Sequence, residues 1–231
     1  SIGVGQQVSV PSYLNYDRWQ GPPPEKPFVD NLVHYNWHWR WHWGNGELGN
    51  NGVHAIDLCR WGLAVDYPTQ VTSSGGRYFF EDDQQTPDTH VAIFKFDDGK
   101  SIMWEGLSCN RQGLERSGFG ATFHGDQGTM YIQNGGYAIY DKANKLVKEE
   151  KGTEPNETHI ENFLSCVRSG ERPNSDIEGA YQSTLLCHLG NISYRVGRTL
   201  NCDPKNGHVL NDEQAMQHWG REYRAGWEPK V

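Results

Sequence analysis

The residues best suited to chemistry lie within one stretch, His34 to Trp61, HYNWHWRWHWGNGELGNNGVHAIDLCRW, which holds four of the ten histidines and five of the nine tryptophans. His54 and Asp57 stand three residues apart in Gly52–Leu63, a run with helical spacing, so both side chains can enter one space. A histidine held there can take or give a proton near neutral pH. The plainer alternative has His54 bonded to nearby backbone and Asp57 paired with Arg60 on a solvated face. His34, His38 and His42 recur every four residues, which on a helix would gather ligands for a metal. The stronger pattern, however, is alternation, with His34, Asn36, His38, Arg40 and His42 on one parity and Tyr35, Trp37, Trp39, Trp41 and Trp43 on the other. That is the period of an extended segment with one polar and one aromatic face. Successive histidines would then lie about 13 Å apart, too far to share one ion. No metal is expected, and nothing in the spacing of Glu47 demands one.

Rows of aromatic rings beside His, Asn and Arg suit a carbohydrate, whose C–H faces stack on rings while its hydroxyls take hydrogen bonds. Core packing or a subunit interface uses the same residues. The candidate substrate contacts are therefore His38, Arg40, His42, Trp43 and Glu47, joined by His159, which opens a later helix and can border a cleft. His188, inside the longest helical run, reads as a buried core histidine.

The elements that must position these residues follow in order. Residues 1–33 carry Pro22, Pro23, Pro24 and Pro27 and read as an irregular, extended arm lying over something else. Asn50 is the expected N-cap of a helix over 52–63, with Val53, Ile56 and Trp61 facing the core. From about residue 69 to 140 the sequence turns to strands: VAIFKF at 91–96, SIMWEGL at 101–107, ATFHG at 121–125, TMYIQ at 129–133 and YAIY at 137–140. Hairpin signals join them at Asp97–Lys100, Gly125–Gly128 and Asn134–Gly136. A charged hinge at 141–155 leads to helices over 157–169 and 178–198, then a short one near 212–219. The expected fold is α+β, a mostly antiparallel open-faced sheet with helices on one face, in a single domain of residues 1–231.

Composition sets the outer bounds. The net charge of −8 argues against nucleic acid or an anionic membrane as the partner. No apolar run reaches the ~18 residues of a membrane span. The five cysteines, without a CxxC pair, suit a reducing compartment, so the cytoplasm is expected, or the periplasm if an upstream export signal was removed ahead of Ser1. No strand–GxGxxG–helix unit occurs, so no dinucleotide-binding domain is expected within these residues.

The order Asp17-Arg18-Trp19-Gln20-Gly21-Pro22, Lys26-Pro27-Phe28, HYNWHW, GNGELGNNGVHAIDLCRWGL at 44–63, HIENFLSCVRSGERP and LGNISYRVGR resembles the C-terminal domain of the glucose-fructose oxidoreductase, inositol dehydrogenase and rhizopine-catabolism (Gfo/Idh/MocA) family. The resemblance implies an NAD(P)-dependent oxidoreductase of a sugar, cyclitol or glycoside. In that family a separate Rossmann domain binds the cofactor, while this domain supplies the substrate pocket and a homo-oligomer interface on its sheet. It places His54 on the catalytic histidine of an Asp-x-x-x-His pair, with Asn50 standing where the family has Asp, and so implies His54 as the acid–base on the oxidised hydroxyl with Asn50 and Asp57 orienting it or the substrate. Glu25-Lys26-Pro27 copies the family's catalytic tripeptide but lies in the proline arm, so Lys26 is not assigned to catalysis. Two other readings stay open at this point: a nicotinamide-independent carbohydrate-active enzyme built on His54, and a carbohydrate-binding or oligomerisation module without catalysis.

Overall fold

The computed structural model describes residues 1–110, 118–133, 135–152 and 156–230. Strands and helices appear in the order α1 (Tyr16–Gln20), α2 (Val53–Leu63), β1 (Gln70–Gly76), β2 (Thr89–Lys95), β3 (Ser101–Leu107), β4 (Gly120–His124), β5 (Gly128–Gln133), β6 (Gly136–Asp141), β7 (Leu146–Lys151), α3 (Asn156–Ser169), α4 (Ile177–Val196), β8 (Leu200–Asn201) and α5 (Glu213–Met216). The strands form two antiparallel sheets, ordered β3-β2-β1-β8 and β4-β5-β6-β7. The expected α+β class with antiparallel strands and helices therefore holds; the division into two sheets was not foreseen.

The first sheet is half-covered, as the period-2 pattern of its strands requires. In β2, His90, Ala92 and Phe94 point inward, and in β3 Ile102 and Trp104 do so while Met103 faces out. Against this face lie Leu186, Leu189 and Ile192 of α4 and Ile56 of α2, all in one core with Leu48 and Val71. Burying each of these side chains contributes roughly 1.5–3 kcal/mol. Local sequence fixes the ends of α4. The Asp176 side chain accepts the N–H groups of Glu178 and Gly179, and Gly197, at φ 68°, returns its N–H to Ser193 and Tyr194.

Three expectations need correction. The stretch 34–43 is not extended: it turns, forms a 3₁₀ segment over Asn36–Trp39 and turns again, closed by Arg40 N–H to Trp37 O at 3.2 Å and Gly44 N–H to Arg40 O at 2.8 Å. Its rings do not share a face because each finds a different partner. Trp43 sits 5.6 Å from Trp19 of the arm, whereas Trp41 lies against Tyr194 and under the Arg195 guanidinium. Second, the arm holds a one-turn helix, α1, whose cap is Asn15 accepting from Arg18 N–H at 3.0 Å. Third, the expected hinge contains strand β7, exposed along its whole length. An edge strand of Lys and Glu hides its period because neither face is buried. Residues 153–155 of that hinge, and Asn134 of one expected hairpin, lie outside the described residues.

His90 is a buried polar group that no motif signalled. Its Nε2 lies 2.6 Å from Ser73 Oγ, and since that hydroxyl donates to Val91 O at 3.2 Å, the imidazole is the donor to it. Burial pushes its pKa down to about 4. The unfolded chain takes up this proton near its ordinary value of about 6.5, so folding loses stability as pH falls from there towards 4, by up to about 3 kcal/mol. Urea unfolding at stepped pH should show that slope in the native sequence and lose it in His90→Gln; an unchanged slope would reject the assignment.

Candidate functional site

The site is built on a helical run that begins at Gly46, passes through a π turn over Leu48–Gly52 and continues without a break into α2. Two glycines make this entry possible. Gly46 has φ 68°, and a side chain on Gly52 would come within 2.9 Å of the Trp104 ring. Asn50 is thus inside the run, not its N-cap, because the glycines let the helix start one turn earlier than the capping pattern suggests. A π turn holds one extra residue per turn and recurs at functional sites.

Asn50 and His54 lie on successive turns at this junction. The Asn50 amide donates to Tyr35 Oη at 3.4 Å, and the Tyr35 ring sits 4.5 Å from His38. His38 is stacked on Trp37 at 3.8 Å between centroids, and its Nδ1 donates to Tyr35 O at 2.5 Å, which leaves Nε2 as a free acceptor in the neutral ring. Glu47 accepts from the Asn51 amide at 2.5 Å. His54 is exposed and has no hydrogen-bond partner among the described residues. On the same side of α2, Asp57 is exposed and Trp61 is 81% exposed, so Trp61 points away from the core expected for it. Asn50, Tyr35 and His38 thus form one bonded and stacked group, and His54 stands exposed one helical turn on from Asn50.

The remaining candidates go elsewhere. Asp57 accepts from Ser183 Oγ at 2.5 Å and lies 4.0 Å from Arg60, a buried guanidinium that also bonds Ser183, Gln182 and Gly179 of α4. Arg40 is paired with Asp83 at 2.9 Å and Asn31 at 2.7 Å. His42 donates from Nε2 to Pro24 O at 2.7 Å, and Trp43 donates to Gln20 O at 3.2 Å, so both fasten the proline arm. Burial lowers the His42 pKa, Lys26 and Arg221 push the same way, and the Pro24 carbonyl only partly opposes them. His159 is exposed on α3, with no bond that ties it to the others. Sequence reasoning missed Tyr35, whose only signal was its place inside HYNWHW. Among the described residues no group of three His, Cys, Asp or Glu side chains is placed to hold a metal ion, and no helix is long and apolar enough to cross a membrane. Both sheets are antiparallel and lack the glycine-rich strand-to-helix junction that cradles a dinucleotide, so the described residues do not fit a nicotinamide cofactor.

Comparison with known proteins places this geometry in context. Residues 4–229 match the profile of an oxidoreductase family, C-terminal alpha/beta domain. A search of curated proteins finds no match. Among solved structures, an NAD-binding oxidoreductase from Klebsiella pneumoniae is similar, with a TM-score of 0.59 and 15% identity over 73% of this chain and 54% of that one. An oxidoreductase from Desulfitobacterium hafniense, described as NADPH-dependent, gives 0.59 and 16% over 72% and 51%. The UDP-N-acetylglucosamine 3-dehydrogenase of Acidithiobacillus ferrooxidans gives 0.50 and 14% over 62% and 45%. At these identities the likeness is one of fold, and the chain spans about half the length of the structures it matches.

Proposed function

Because the chain belongs to the Gfo/Idh/MocA oxidoreductase family, as the C-terminal α/β domain, we propose that it is the substrate-binding half of an NAD(P)-dependent dehydrogenase of a sugar, cyclitol or glycoside. The observation that supports this reading is the junction of the π turn and α2, one helical run that carries Asn50 and His54, with the Asn50 amide bonded to Tyr35 Oη and the Tyr35 ring 4.5 Å from His38. A nicotinamide held by another part of the polypeptide would supply the hydride acceptor. This chain's share is the proton: His54 takes it from the hydroxyl being oxidised, while the Asn50 amide and Tyr35 Oη position that hydroxyl. His38 Nε2 and the Trp37–His38 stack are suited to a second hydroxyl and to the C–H face of the ring. A solvent-exposed acid–base works poorly, so the pocket needs a further wall, and the cofactor-bearing half supplies it. The open second sheet offers the homo-oligomer surface, which light scattering of the full polypeptide would read as a mass above one chain.

The test is to purify both the 231-residue chain and the full polypeptide that contains it, and to follow NAD(P)H with sugars, cyclitols, glycosides and nucleotide sugars. We expect turnover from the full polypeptide and none from the 231 residues alone. Ordinary turnover by the short chain, or a full polypeptide that does not bind NAD(P), would overturn this reading.

A further inference from the structure

Helix α3 is amphipathic the wrong way round. Its buried residue is Cys166, and on that side Asn162 accepts the Asn174 N–H at 2.9 Å and holds the helix to the chain. The opposite side carries Ile160, Phe163, Leu164 and Val167, spaced as one helical stripe and each 42% to 67% exposed. No other helix or strand among the described residues packs closely along α3. Four large apolar side chains in one outward stripe mark a surface that another body covers.

We propose that this stripe is the seat on which the nucleotide-binding half of the full polypeptide docks. The proposal rests on the function given above. Two observations choose this occupant. The solved structures that the chain matches are about twice its length, so an equal body has to pack against a domain like this one. Oxidation of an alcohol also requires the hydride acceptor and the proton acceptor to flank the same substrate carbon, with reacting atoms ~3–3.5 Å apart. The body that brings the nicotinamide must therefore lie on the helical layer from which His54 projects. That layer contains α2 and α4, packed together, and α3 leads straight into the capped start of α4, where Arg172 and Asp176 pair at 2.5 Å. A second copy of the chain has no such requirement. A net charge of −8 is a poor match to an anionic membrane.

The experiment is hydroxyl-radical footprinting of the full polypeptide, with rates normalised to the unfolded protein. Within this chain Phe94 is buried and Phe79 is exposed, which supplies both references. Phe163 protected like Phe94, with that protection unchanged on dilution to single polypeptides, is the expected result; Phe163 reacting like Phe79, or losing its protection on dilution, overturns the proposal. The double variant Phe163→Glu/Val167→Glu gives the second arm. We expect NAD(P) affinity to survive while kcat falls by about 10²-fold, the cost of an ~1 Å misplacement of the two halves. Unchanged kcat with a fall in oligomer mass would assign the stripe to a second copy and overturn the proposal. Loss of NAD(P) binding by the unmodified full polypeptide would instead overturn the functional reading beneath it.

Discussion

His54→Ala in the full polypeptide is expected to lower kcat by about 10²–10⁴-fold, the usual worth of a positioned acid or base. Stability should barely move. His54 is exposed and bonds nothing among the described residues, so its loss leaves no buried donor or acceptor unpaired. Surface changes of this kind stay within about 0.5 kcal/mol. The separation of the two readouts is what makes the test sharp, and it distinguishes His54 from its neighbour. Asp57→Ala removes the acceptor for Ser183 Oγ and a carboxylate 4.0 Å from the buried Arg60, so it should act through stability. Asn50→Ala removes an amide that positions Tyr35, and should raise KM more than it lowers kcat. Steady-state kinetics and urea unfolding on the three variants decide the matter. A His54→Ala enzyme with full kcat would end the assignment of the proton step.

What could be read from the sequence follows how local each signal is. Strand β3 was read residue for residue because SIMWEGL alternates and Asp97–Lys100 turns the chain back. Helix α4, expected over 178–198 from the Asn201–Pro204 stop signal, was read to within two residues at each end, and the Asp176 and Gly197 caps set its true bounds. The segment 34–43 was misread because its alternation is real but has no single surface to face. Its rings answer to Trp19, Tyr194 and Arg195, far away in the chain, and packing of that kind overrides a two-residue period. The same distinction holds at the site. Asn50 and His54 could be paired from sequence because one helical run carries both. That Tyr35 returns to the Asn50 amide and brings His38 with it depends on the 3₁₀ turn, and that Arg40, His42 and Trp43 leave to hold the arm depends on contacts with Asp83, Pro24 and Gln20. Trp61 was expected inward from its place in the helical run with Val53 and Ile56, but it is 81% exposed, and one exposed apolar side chain is common on a protein surface.

Asp88→Ala should be the most damaging single change to stability, costing about 3–5 kcal/mol. The Asp88 carboxylate is 1% exposed and accepts the backbone N–H groups of Tyr78, Phe79 and Phe80 at 3.1 to 3.2 Å, together with the Thr89 hydroxyl at 3.1 Å. Arg77 lies 3.5 Å away and is shared with the buried Asp82. Alanine would strand three N–H donors and half of the guanidinium's compensation in a place that water does not reach. Burial by itself would raise the Asp88 pKa, but the N–H and hydroxyl donors outweigh it and hold it below the ordinary carboxylate value. Its contribution is therefore complete above about pH 4 and is lost as pH falls through the folded value, a window below the one set by His90. Urea unfolding at pH 7 and pH 3 should show a smaller difference in Asp88→Ala than in the native chain, and an equal difference would remove Asp88 from the account. The damage should reach the site as well. The same loop sends Asp83 to Arg40 and the Gln85 N–H to Trp39 O at 2.8 Å, so loosening it frees the 3₁₀ turn that carries His38. In the full polypeptide, KM for the substrate should then rise, because this loop braces the turn that carries His38.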